Sequence, residues 1–405
     1  MKIKDIQSKS SQRYKSPNLH NLGIQGYGDD NLYPENLRNI INSSATGAEC
    51  VDRYADFLEG EGFNDIAFSE VVVNHHGETT DELHSKICAD IATYNGFALH
   101  LNYNIYGEVT EISHVPFECC RLCEADEWGY VNKIAIHQDW TGTKQVQGRT
   151  HSVNKKNIDY IFAYNPDKEI VLSQIEACGG IEYYNGQVLW VSLNGTNVYP
   201  TPIADRVITE MSTDEGLANV RWRNVRCNFL PSGLLVTRKG TISGLMAEGY
   251  SQDDAEQELE ERSEAFSDAL AKMQGDTKSN KIIECEIETD EEKPEFIPIT
   301  TNNYDKDFTQ SEATTAERIY AAFGQECFYL QRIGKVGFGG AVMQDAFALY
   351  NSSVNKVQRK IERTFKQLFS DWQGATYTDF SVKPKTYIAN TINQEESNGT
   401  APNNE

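Results

Sequence analysis

The spacing of apolar residues changes along this chain, and the change limits it to folds that contain both helix and sheet. Within residues 35–58 apolar side chains recur every three or four positions, as Leu37, Ile40, Ile41, Cys50, Val51, Tyr54 and Leu58, and the run stops at Gly60-Glu61-Gly62. That is the spacing of one helix face. From Phe97 the period is two: Phe97, Leu99, Leu101, Tyr103 and Ile105 alternate with Ala98, His100, Asn102 and Asn104, as the two faces of a strand do. Further strands are expected near 109–114 and 130–136. Residues 181–184 and 187–191 flank Asn185-Gly186, the strongest short signal for a hairpin. Residues 28–200 are therefore expected to form an α+β lobe dominated by antiparallel strands.

The second half has a different texture. Residues 202–230 read as helix in two pieces, because Ser212-Thr213-Asp214-Glu215 is a capping box in mid-segment. Residues 234–237 are strand-like. Ser251-Gln252-Asp253-Asp254 opens a helix to about Met273, and 281–288 reads as a second strand followed by an acidic loop to Pro294. Thr309-Gln310-Ser311-Glu312 is another capping box, starting a helix that ends at Gly324. After the glycine-rich stretch 332–340 comes the longest helix, about 341–370, roughly 45 Å at the helical rise. Its apolar residues Phe347, Tyr350, Val354, Val357, Ile361 and Leu368 keep the three–four spacing.

Composition narrows the function classes. The 405 residues are enough for two or three lobes. Apolar residues are 39% and charged residues 24%, the composition of a chain with packed cores. Lys and Arg number 37 against 60 Asp and Glu, a net charge of −23, which argues against a broad basic face gripping DNA. No apolar run is long enough to cross a membrane, and MKIKDIQSKSSQRYKS has no apolar signal core. The nine cysteines are an odd number and are expected as reduced thiols. Residues 1–27 read as an arm, basic over its first 20 positions, and 393–405 as a disordered tail. Acidic and basic side chains number 17 and 7 in residues 231–300, whereas the 341–370 helix carries Lys356, Arg359, Lys360, Arg363 and Lys366 against Asp345 and Glu362. Such segregation suits copies packed side by side; solvated helix faces would give the same pattern.

Motifs for chemistry fail on spacing. Cys119-Cys120-x-x-Cys123 with His114 upstream lacks the second ligand pair of a zinc site, and its alternation within a strand reads as buried thiols. A Cys- or metal-dependent hydrolase using Cys119–Cys123 is the leading rival from another class. His75-His76 and His84 match no zinc-protease motif and read as a solvated loop entering a helix near Thr80. There is no GxSxG elbow. Gly334–Gly340 lacks the GxxxxGK[ST] pattern, with Lys335 after the first glycine. It reads as a mobile connector, flexible or functional. No catalytic residue, cofactor or metal site is expected.

With these elements in order, the chain resembles the portal proteins of tailed bacteriophages over about residues 28–370. GDDNLYPENLRNI and FLEGEGF are similar to the start of a portal wing, HVPFECCRL to its sheet, and the helix ending NFLPSGLLV to the first stem helix. NNYDKDFTQSEATTAERIYAAFG is similar to the second stem helix, and FYLQRIGKVGFGG falls where portals place the tunnel loop. One departure is that Gln325-Glu326 follows Gly324 where related sequences often have a proline. The resemblance implies an α+β, portal-like fold: arm 1–27, wing 28–201, first stem helix 202–230, clip 231–300, second stem helix 301–325, tunnel loop 326–340, long wing helix 341–372, and a short C-terminal segment with a disordered tail, 373–405.

It also implies a non-enzymatic virion protein, made in the host bacterial cytoplasm. Such proteins form a ring, typically of twelve subunits, at one capsid vertex. They contact the major capsid protein, the large terminase subunit and a head-completion or neck adaptor, and double-stranded DNA passes through the channel with no membrane involved. Gln331, Arg332, Gly334, Lys335, Gly337, Phe338 and Gly339 would face that channel. Glycines permit close approach to DNA, Phe338 offers an apolar tip, and Arg332 and Lys335 supply weak phosphate contacts. The two strands of 231–300 are expected to pair with another chain or lobe, being too few to stand alone.

Overall fold

The computed structural model describes residues 17–143, 145–146, 149–150, 152–194, 198–227, 233–238, 242–247, 249–273, 282–287, 304–335, 340–369, 372 and 377–387. The chain divides into two compact units, one comprising Met1–Met211 and Ala316–Glu405 and the other Ser212–Thr315. The fold is α+β, mixing helices with a six-stranded sheet.

The larger unit opens with the antiparallel pair β1 (Asn18–Leu19) and β2 (Ile24–Gln25), followed by α1 (Tyr33–Ser43), α2 (Ala45–Glu59), α3 (Ile66–Ser69) and α4 (Thr80–Tyr94). The helical run expected over 35–58 is two helices, because Ser44 interrupts it. Its backbone is extended, and its Oγ accepts from Gly47 N at 3.0 Å, capping α2. α4 begins where the sequence placed it, with a full capping box between Thr79 and Glu82.

Around these helices lies a sheet of β3 (Gly96–Tyr103), β4 (Val109–Val115), β5 (Cys120–Leu122), β6 (Lys133–Ile136), β9 (Asp159–Ala163) and β10 (Gln187–Ser192), in the order β4-β3-β10-β9-β6-β5. A minor pair, β7 (Gln145–Val146) with β8 (Arg149–Thr150), and helix α5 (Lys168–Ala177) sit between its strands in sequence. The Asn185-Gly186 hairpin does not form. Ile181–Tyr183 is a 3₁₀ turn, and β10 pairs antiparallel with β3 and parallel with β9. The glycine serves a different need: its φ is +72°, and a Cβ there would stand 2.1 Å from the Leu101 carbonyl oxygen. The chain turns against β3, not back on itself, and β10 then buries Val188 and stacks Trp190 on Phe117 at 4.3 Å.

The last helix, α11 (Gly340–Phe369), lays Tyr350, Val354, Ile361, Phe365 and Phe369 into the core. Phe365 meets Phe63 and Phe68 at ring-centroid distances of 5.0 and 6.0 Å. Residues 377–387 return to the same core: Val382 bridges to Phe63, and Lys383 N donates to Gly62 O at 2.8 Å. Residues 388–405, which include the expected tail at 393–405, and 1–16 of the arm lie outside the described residues.

α6 (Ile208–Cys227) follows a 3₁₀ turn at Ala204–Val207 and is unbroken at 212–215. A capping box starts a helix only where the preceding chain is non-helical; here 208–211 are already helical and Met211 is fully buried. For the same reason α9 (Tyr304–Ala322) begins five residues before its expected cap at Thr309. Within the smaller unit Arg221 of α6 pairs with Glu312 of α9. That unit also holds β11 (Gly233–Arg238), α7 (Ile242–Ala247), α8 (Gln252–Met273) and β12 (Ile282–Ile287). The sequence left β11 and β12 to find partners elsewhere; instead they pair with each other, parallel, from Gly233↔Ile282 to Arg238↔Ile287. The helices between them supply the crossover that a parallel pair requires.

Candidate functional site

The residues singled out for the channel belong to a junction in the larger unit where α9 ends and α11 begins. The segment 326–340 is not loop throughout. Glu326–Arg332 forms a helix, α10, with Phe328 buried against α2 and α11: its ring lies 5.8 Å from Phe57 and 5.6 Å from Tyr350. A seven-residue helix beside a glycine run has too few turns to show a period in sequence; what orders it is burial of Phe328.

Gln325 joins the elements. It is fully buried, and its amide nitrogen donates to Cys50 O and to the Tyr350 hydroxyl, both at 2.9 Å, while its Oε1 accepts from Arg53 Nη1 at 3.3 Å. One side chain thus pins α2, the start of α10 and α11. A proline could not make these bonds, so the departure at 325 has a structural purpose.

Arg332 was expected to face DNA. Its Nη1 donates to Glu49 Oε2 at 2.6 Å and to the Tyr320 hydroxyl at 2.9 Å. The other Glu49 oxygen accepts from Arg53 at 2.6 Å. Burial pushes the Glu49 carboxyl up, but the hydrogen bond from Arg53 and the charges of Arg53 and Arg332 outweigh it and hold it below the usual range. Arg53 also lies over the Phe328 ring at 4.9 Å. Sequence spacing gave no sign of Glu49, Arg53 or Gln325 here, since 275 residues separate Gln325 from its partner Cys50.

Gln331 faces an apolar groove of about 220 Å³ between α10 and α11, lined also by Leu330, Val342, Met343 and Leu349. Gly334 has φ +71° and closes α10: Lys335 N donates to Leu330 O at 3.0 Å and Gly334 N to Gln331 O at 2.9 Å. This is a Schellman end, and open space surrounds the position a Cβ would take. Lys335 is exposed. Gln331, Arg332, Gly334 and Lys335 are thus brought together at one end of α10. Gly337, Phe338 and Gly339 lie outside the described residues.

The cysteines of the rival reading do not converge. Cys120 belongs to the main core, whereas Cys123 packs with Ile24, Ala135, Trp140 and Ile158 in a second cluster. Burial pushes the Cys119 and Cys123 thiols up to about 11 and raises Cys120 well above the ordinary range. A nucleophilic or metal-binding cysteine needs the opposite shift. His84, four residues beyond the expected helix start at Thr80, is fully buried between Phe63 and Phe365, with ring centroids at 4.8 and 6.0 Å. No helix among the described residues is long and apolar enough to cross a membrane.

No family model and no curated protein matches the sequence. Three similar solved structures come from gene transfer agent particles. A chain of the native virion is 12% identical, with 89% of this chain and 85% of that chain covered and a TM-score of 0.46. A chain of the empty-particle neck, computed with C6 symmetry, is 14% identical, with 87% and 84% covered and a TM-score of 0.46. One of the native neck, computed with C12 symmetry, is 14% identical, with 87% and 83% covered and a TM-score of 0.47.

Proposed function

We propose that this chain is the subunit of a portal ring, the head-to-tail connector of a phage-like particle. The observation that carries the reading is the order of elements in the second half. A 20-residue helix leads into a strand–helix–helix–strand insertion, a 19-residue helix returns, and a short capped helix then precedes a 30-residue helix. In this reading 28–201 and 341–372 make the wing, 202–230 and 301–325 the stem, 231–300 the clip and 326–340 the tunnel segment. The ring, of twelve copies, sits at one capsid vertex and contacts the major capsid protein. It receives a terminase during packaging and a neck adaptor afterwards.

Double-stranded DNA passes through the channel, driven by the terminase, so the chain itself needs no catalytic residue. A net charge of −23 per copy suits that role, since acidic walls repel phosphates and let a duplex slide. Lys335, with Gly337, Phe338 and Gly339 beyond it, is the part of the tunnel segment offered to DNA, while Arg332 holds the helix through Glu49.

The first test is assembly. At 45.6 kDa per chain a twelve-membered ring has a mass near 550 kDa, visible by native mass measurement and as an annulus in negative stain. Purified protein that stays monomeric at every concentration would sink the reading. The second test is Lys335→Glu. Ring yield should be unchanged while the yield of DNA-filled heads in a complemented infection falls; normal filled heads would remove the DNA contact from this residue.

A further inference from the structure

Two loops of the six-stranded sheet share one construction. In Asn104-Ile105-Tyr106-Gly107-Glu108 the Asn104 Oδ1 accepts from the backbone nitrogens of Tyr106 and Glu108 at 2.8 and 3.0 Å. In Asp126-Glu127-Trp128-Gly129-Tyr130 the Asp126 Oδ1 accepts from those of Trp128 and Tyr130 at 3.0 and 2.8 Å. In both, the first residue's N–H donates to the fifth carbonyl at 2.9 Å, and the glycine's N–H donates to the first carbonyl at 3.0 Å. Each locked turn holds a ring in water: Tyr106 is 69% exposed, Trp128 86% and Tyr130 70%. An aromatic already fixed on a rigid turn loses little freedom on docking, and Trp and Tyr supply much of the binding energy at interfaces.

Charge separates the two loops. Glu108 of the first is engaged by Lys168 at 3.3 Å. The second carries Glu124, Asp126 and Glu127, all exposed, with no basic residue from 124 to 132. His20 lies 2.6 Å from Glu124, and Asp126 and Glu127 have no basic side-chain partner among the described residues. The strand directions send the two loops to opposite ends of the sheet, one beside each edge strand.

The same unit holds a complementary surface. On α11, Lys356, Arg359, Arg363 and Lys366 are exposed and fall on one stripe, about 15 Å long at the helical rise. None has a carboxylate partner among the described residues. Elsewhere in the unit Arg38, Lys86 and Lys385 pair with Glu118, Glu78 and Asp56 at 2.7, 2.7 and 2.8 Å. In so acidic a chain, four unpaired cations in a row are a surface kept for an external anion.

We propose that the acidic, aromatic-tipped loop 124–130 of one copy docks on the Lys356–Lys366 stripe of the next. The Glu127 carboxylate meets the cations, and Trp128 and Tyr130 give the Arg359 and Arg363 guanidinium groups flat faces to stack on. The contact joins two different patches, so repeating it from copy to copy closes a ring or runs on as a filament. The inference rests on the ring reading above and names one contact within it.

The test uses sedimentation velocity and native mass on the full chain, unaltered and with Trp128→Ala, Glu127→Lys, Arg363→Glu, and Glu127→Lys with Arg363→Glu together. Each single change should weaken self-association at least tenfold with the unfolding midpoint unmoved, since all three side chains are exposed. The double reversal should recover at least threefold. Single variants that assemble as readily as the unaltered chain overturn this contact and leave the ring reading standing. A double variant no better than its parents overturns the pairing. An unaltered chain that never assembles overturns the ring reading and the contact with it. If Arg363→Glu lowers binding to a fluorescent DNA duplex while assembly is unaffected, the stripe is a phosphate surface and the proposal falls.

Discussion

Arg121 heads the fully buried side chains of the described residues by volume, and a buried guanidinium survives only if every donor is used. Its Nε donates to Asn31 Oδ1 at 2.8 Å, Nη1 to the Glu118 and Cys120 carbonyls at 2.6 and 2.9 Å, and Nη2 to Asn31 O at 2.7 Å and to the Glu35 carboxylate at 3.2 Å. Burial pushes the Glu35 carboxyl up, and Arg121 offsets part of that. Arg121→Ala strands Glu35 and two buried carbonyls and should cost about 3–5 kcal/mol, read as a lower denaturant midpoint. Arg121→Lys should restore little, because an ammonium cannot reproduce the fork.

His84 sets an acid limit. Neither ring nitrogen has a hydrogen-bond partner among the described residues, and desolvation pushes its pKa down to about 4 from 6.5. Between those values the unfolded chain binds a proton that the folded chain refuses. Stability is therefore complete above pH 6.5 and is lost as pH falls toward 4, by roughly 3 kcal/mol. His84→Leu should flatten that part of the pH–stability curve; an unchanged curve would show that other groups govern it.

At the scale of elements, two glycines separate strain from crowding. Gly334 has a left-handed φ and open space around its Cβ position, so Gly334→Ala should cost only the conformational term, about 1–2 kcal/mol, seen as faster amide exchange in α10. Gly186→Ala carries the same strain plus a Cβ set 2.1 Å from the Leu101 carbonyl. It should lower the thermal midpoint of the whole unit by clearly more, because β10 must pull away from β3. Both glycines were visible in sequence as turn signals. Their uses were not: Asn-Gly reads as a hairpin from local chemistry, and only the pairing of β10 with β3 and β9 reveals a crossing under an existing strand. The capping boxes at 212 and 309 misled for a related reason, since a cap is defined by what precedes it.

Across the whole molecule, the two units differ in how their strands are secured. In the six-stranded sheet of the larger unit four strands have a neighbour on each side. In the smaller one β11 and β12 have only each other among the described residues, and a two-stranded sheet is marginal in water. Amides of 233–238 and 282–287 should therefore exchange far faster than those of β3 and β10 in monomeric protein. If the smaller unit is a subunit interface, that exchange should slow on assembly; equal protection before and after would place the interface elsewhere.

What the sequence determined alone was whatever depends on near neighbours. The α+β class, the span of α11 and the start of α4 follow from period and capping, because helix faces and strand faces repeat within a few residues. The acidity and the segregated basic helix need no fold at all. What only the tertiary structure decided was which distant residues share a place. Gln325 meets Cys50, Arg332 meets Glu49, and Arg121 meets Asn31 and Glu35. The separations run from 86 to 283 residues, and no local period encodes them. They arise because a buried polar group must find its partner wherever packing brings one within hydrogen-bond reach.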